Sequence, residues 1–121
     1  GIARRPISTK CSGASGVSLE VFLMQVGCCS IKFFLHGNRS LKEKRRVIRT
    51  IKDRLKNKFN ISVSEIGHQD VWQTLHLGVV AVSSDPKYLE GQMNRVVDAI
   101  EQMHLAEITD CQVTVTNLGL E

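Results

Sequence analysis

No run of apolar residues in this 121-residue chain approaches the roughly 20 that a membrane-spanning helix needs, so a soluble protein is expected. No GxSxG, HExxH, P-loop or GxGxxG spacing occurs either, which removes the commonest signatures of hydrolases, zinc proteases and nucleotide binders. The four cysteines (Cys11, Cys28, Cys29 and Cys111) form no CxxC pair, and the adjacent Cys28 and Cys29 would point to opposite faces of a strand. A disulfide framework and a zinc site are both poorly supported by that spacing. Small buried or half-buried thiols in a reducing cytosol are expected, with no metal and no cofactor. Aromatic residues are scarce, at 5% of the chain. An RNA-recognition motif needs aromatics on its two central strands, and only Phe34 is placed to serve, so base stacking on a sheet of that type is not expected.

Acidic residues are absent from one stretch almost entirely. Asn38 to Lys58 holds ten of the sixteen lysines and arginines against only Glu43 and Asp53. Charge is therefore divided unevenly, about +3 over residues 1–38, +8 over 39–58 and −7 over 59–121. Ser40 followed three residues later by Glu43 is the capping-box spacing, which predicts a helix starting at Ser40. Stepping about 100° per residue gathers Leu41, Ile48, Ile51, Leu55 and Phe59 into one arc, with Val47 at its edge. Lys42, Arg45, Arg46, Arg49, Lys52 and Lys56 share the neighbouring arc. A solvated face usually interleaves both signs, because like charges four residues apart repel by a few tenths of a kcal/mol. A face of one sign is suited to an anion such as nucleic-acid phosphate. Arg39 and Lys44, near the start of the helix, complete the set of candidate phosphate contacts.

With 42% apolar residues the chain is expected to form one small globular domain. Residues 1–23, rich in Arg and Ser with one acid, have the composition of a leader or N-terminal extension and are expected to be largely flexible. From residue 24 to 121 the order of elements can be read. Val26 to Leu35 alternates as a strand, and the basic helix follows. Ile61 to Ser64 alternates again, Gly67 to Asp70 are hairpin residues, and Val71 to Val82 is apolar on both faces, as in a central strand. Asp85 before Pro86 marks a second helix that fades near His104, and Ile108 to Asn117 is a last strand. Strand, helix, strand, strand, helix, strand is the α+β, ferredoxin-like βαββαβ plan, a four-stranded antiparallel sheet with two helices on one face. That plan brings His36, His68, Gln69, Asp70, Trp72 and His104 to one polar edge, near the positive N-terminus of the basic helix.

The run SLKEKRR (Ser40 to Arg46), together with SVSEIGHQDVW (Ser62 to Trp72) and Gln73, resembles the YlxP-like family of small, largely uncharacterised bacterial proteins. The resemblance covers about Met24 to Asn117. It implies a ferredoxin-like fold and, because genes of the family tend to lie among those for translation and ribosome maturation, a cytoplasmic bacterial role near RNA or the ribosome. It implies no catalytic residue.

Three functions follow as expectations. The first is a non-enzymatic protein that binds structured RNA or the ribosome through its basic helix. The second is a homodimer or higher homo-oligomer, a ligand-sensing or interaction module, that covers apolar groups (Val26, Phe34, Val80, Val82) left on the open face of the sheet. The third is a small metal-dependent enzyme at the edge formed by His36, His68, Asp70 and His104.

Overall fold

The alternating and amphipathic patterns appear as strands and helices in a computed structural model, which describes residues 5–9 and 22–120. The elements are β1 (Arg5–Thr9), β2 (Phe22–Phe34), α1 (Leu41–Lys58), β3 (Ser62–Gly67), β4 (Thr74–Ser83), α2 (Pro86–Met103) and β5 (Glu107–Leu120). They form one sheet of order β1-β5-β2-β4-β3. From β2 onward every pairing is antiparallel, so β5, β2, β4 and β3 are the expected four-stranded sheet of a ferredoxin-like α+β fold. Of the 1–23 extension, Arg5–Thr9 adds a fifth strand that runs parallel to β5, with Arg5 opposite Gln112 and Thr9 opposite Thr116. The other residues of that extension lie outside the described residues, apart from Phe22 and Leu23 at the start of β2.

Period two sends alternate residues of each strand to the helix side of the sheet. Cys29, Ile31 and Phe33 of β2 and Leu75, Leu77, Val79 and Ala81 of β4 are buried there. They pack with Ile51 and Leu55 of α1 and with Leu89, Met93, Val96, Val97 and Ile100 of α2. Burying one such large apolar side chain stabilises the fold by roughly 1.5–3 kcal/mol. Gly27 lets α2 approach closely, since a Cβ there would lie 3.2 Å from the Cβ of Leu89. The thiols of Cys29 and Cys111 are 3.8 Å apart in this core, well beyond a disulfide S–S bond of about 2.05 Å. Cys28 is half-buried on the other face, and Cys11 lies outside the described residues.

Both helix starts are fixed by side chains. Ser40 Oγ accepts from the Glu43 amide at 3.2 Å, and Glu43 Oε1 in return accepts from the Arg39 amide at 3.1 Å. Asp85 Oδ1 accepts from the Lys87 amide at 3.0 Å, with Pro86 in the first turn. α2 ends at His104, whose φ of 53° is the left-handed conformation that terminates many helices. Several expected boundaries shift: β2 begins at Phe22, not Val26, β3 runs on to Gly67, β5 spans Glu107–Leu120, and β4 begins at Thr74, not Val71. The Val71 carbonyl is taken by the Lys44 ammonium and the Trp72 carbonyl by the Asn38 amide, so these two residues stay in the loop.

Candidate nucleic-acid interface

Because α1 is amphipathic, packing its apolar arc against α2 and β3 leaves a cationic arc on the surface. Arg39, Lys42, Arg45, Arg46, Arg49 and Lys56 are exposed and Lys52 is half-buried. Among the described residues, none of these seven has an ion-pair partner within reach; the ion pairs described are His36–Glu107 and Lys44–Glu65. Lysines at positions 56 and 58 suit the negative C-terminal end of the helix dipole, as Glu43 suits the positive start.

Four of the cations also line a groove. Arg45, Arg49, Lys52 and Lys56 form one wall of a cavity of about 570 Å³, with Ile48 and Asp53 beside them and Ser64, Glu65 and Gln69 opposite. At a rise of 1.5 Å per residue, the eleven steps from Arg45 to Lys56 place this row of charge over roughly 16 Å. The opposite wall is β3, an edge strand of the sheet. Arg39, Lys42 and Arg46 lie outside the groove lining.

Lys44 departs from the expectation that it belongs to the exposed cationic set. It is buried, 1% exposed. Its ammonium donates to the His68 carbonyl at 2.5 Å and the Val71 carbonyl at 2.7 Å, and it lies 2.8 Å from Glu65 Oε2. The two carbonyls take two of the ammonium's three protons, and the carboxylate balances its charge. Lys44 therefore ties α1 to the β3–β4 hairpin and is withdrawn from contact with phosphate. Its position in the sequence carried this signal: three residues after Leu41 and four before Ile48, it sits inside the apolar arc. Ser64 and Glu65 of the groove were not anticipated; Gln69 was, though as part of the polar edge.

The histidines expected at one polar edge have separate partners. His36 Nε2 is 2.6 Å from Glu107 Oε1 and its ring packs edge-on against Phe34. The His68 ring faces His76 with centroids 6.1 Å apart, and His104 serves as the cap of α2. Asp70 and Trp72 are exposed in the hairpin. Among the described residues no group of three or more His, Cys, Asp or Glu is placed to hold a metal ion. The histidine that sequence reasoning left aside, His76, has the most perturbed surroundings. Its Nε2 is 2.7 Å from Ser30 Oγ. Burial, then the charges of Lys32 and His68, hold its pKa below the usual imidazole value against the opposing pull of Asp110.

The open face of the sheet is reached across β3. Ile66, Val80 and Val82 are 52%, 38% and 61% exposed there. Beside them is a shallow depression of about 340 Å³ whose lining contains no charged residue and includes Ser64, the residue that also borders the groove.

The described residues therefore form a ferredoxin-like α+β domain whose first helix carries a cationic face. Residues 26–113 match the family described as "Protein of unknown function (DUF503)", and the chain belongs to that family. It is similar to the "Uncharacterized protein YlxP" of Bacillus subtilis (strain 168), 40% identical over 84 residues that cover 69% of this chain and 91% of the Bacillus protein. Among the described residues no helix is long and apolar enough to cross a membrane.

Proposed function

We propose that this protein is a non-enzymatic, cytoplasmic RNA-binding protein whose α1–β3 groove takes the phosphate backbone of a structured RNA, on the ribosome or apart from it. The observation that carries the reading is the groove wall of Arg45, Arg49, Lys52 and Lys56, none of which has an ion-pair partner among the described residues. Cations left unneutralised along a concave surface concentrate anions, and a row of them follows a phosphate chain better than it follows a point charge. Two acids share the lining, Asp53 and Glu65, and Glu65 is engaged by Lys44, so the four cations outweigh the acid that is left. Contacts of this type give affinity and orientation more than sequence choice. The test is binding of the full chain to ribosomal subunits and to a structured RNA hairpin, beside a variant carrying Arg45→Glu, Arg49→Glu and Lys52→Glu. Retained binding by the variant, or none by the parent at low salt, overturns the reading.

A competing reading is a homo-oligomer closed through the open sheet face. It is favoured by the exposure of Ile66, Val80 and Val82 on that face. Sedimentation of the purified chain across a concentration series separates the two.

A further inference from the structure

The groove and the depression meet at Ser64. This residue lies on the edge strand β3, opposite Gly78 of β4, and borders both cavities. On one side of it are four cations; on the other are only neutral groups. A nucleotide has the same two halves, a charged phosphate and a neutral, planar base. From this we infer that the depression on the open sheet face seats one unpaired base of the RNA whose backbone lies in the groove, so that the protein prefers a bulged or looped nucleotide beside a helix. The inference rests on the RNA reading above and adds which feature of the RNA is recognised.

The chemistry of the depression fits a base. Its volume of about 340 Å³ is at the small end of the range for ligand sites, roughly 300–1,000 Å³. Ile66 and Val80 offer an apolar wall to a base's flat face, and the absence of charge makes the depression a poor seat for phosphate. Gln112 carries a carbonyl and an amide, the paired acceptor and donor that match a base edge, and Thr114 adds a hydroxyl. Ser30 lies on the floor and is held by His76. Gly78 lets the Ile66 side chain lie close against β4, since a Cβ there would be 2.9 Å from its Cγ2, and so sets the position of that wall. A base stacked inside a duplex could not enter; an unpaired one splayed from the helix could. The mode does not depend on the stacking aromatics that this sheet lacks.

The experiment compares two RNA hairpins, one fully paired and one with a single-nucleotide bulge, by fluorescence anisotropy over a salt series. The parent chain is measured beside Ser62→Phe, which fills the depression from the exposed edge strand, and Gln112→Ala, a milder change in case the first disturbs the sheet; circular dichroism checks both for folding. The expected result is binding of the bulged RNA about tenfold tighter than the paired one by the parent, with that ratio falling to about one in both variants while the salt dependence is unchanged. Equal affinity of the parent for both RNAs, or a preference that survives both substitutions, overturns the inference and leaves the groove reading standing. Binding of neither RNA by the parent overturns both. A second copy occupying the face would appear as a dimer in sedimentation that Ser62→Phe returns to monomer, and it too overturns the inference.

Discussion

Replacing Lys44 with Met keeps the length and most of the volume of a side chain that is 2% exposed, and removes only its ammonium. The Val71 carbonyl then loses its ammonium donor, the His68 carbonyl keeps only the Val71 amide, and Glu65 loses its counter-charge. The Glu65 side chain is 22% exposed, but its Oε2 is sealed from solvent and has no hydrogen-bond partner beyond the ion pair. Breaking a buried pair by removing one partner destabilises by roughly 3–5 kcal/mol, and the partial exposure of Glu65 points to the lower end, about 3 kcal/mol. For a domain of this size that lowers the melting temperature by roughly 10–20 °C. Urea unfolding followed by circular dichroism measures it, with Glu65→Gln and the double variant completing a cycle. The double variant should lose less than the sum of the singles, because a neutral amide no longer needs the ammonium. Hydrogen exchange at the hairpin, near residues 65–72, should accelerate in Lys44→Met before exchange in the α2 core does. A Lys44→Met variant within about 1 kcal/mol of the parent, or strictly additive singles, would refute the account of Lys44 as the tie between helix and hairpin.

Two further outcomes follow from other sites. Because the His76 pKa is lowered in the fold, the neutral ring is favoured there; its contribution to stability is complete above the unfolded value near 6.5 and is lost as pH falls through the folded value. Unfolding midpoints measured from pH 7.5 downward should show this decline, and His76→Gln should remove that part of it. At Gly78, substitution by Ala puts a Cβ within 2.9 Å of Ile66 Cγ2 and forces that exposed side chain to move. A loss of about 1 kcal/mol is expected, recovered largely in the Ile66→Ala, Gly78→Ala pair and checked by the same unfolding assay.

The fold was legible because local and long-range signals agree along this chain. The Ser40–Glu43 box, the Asp85–Pro86 start and the alternation through β2 each specify the element that forms. The strand β1 was not legible, since five residues containing Pro6 carry no periodicity strong enough to mark a partner 107 residues away in β5. The cationic face could be read from spacing, but the groove could not, because its second wall comes from Ser64, Glu65 and Gln69, and only the fold brings them to α1. Lys44 was misread for a related reason. Its place inside the apolar arc marks it as buried, but a lysine is expected outside, and the spacing does not name the two carbonyls and the carboxylate that meet it there. The histidines show the opposite limit: the strand order predicts a common edge for them, yet their individual partners send them to separate tasks.

The most direct test of the central claim is the salt dependence of RNA binding. Each phosphate neutralised contributes a slope of roughly 0.7–0.9 in log K against log salt, so a groove working through Arg45, Arg49, Lys52 and Lys56 predicts about −3 to −4 for the parent chain. Changing Arg45, Arg49 and Lys52 to Ala should flatten the slope to about −1 and weaken binding at every salt concentration. The same slope in parent and variant would contradict the account, because the charge that binds RNA would then lie elsewhere on the molecule.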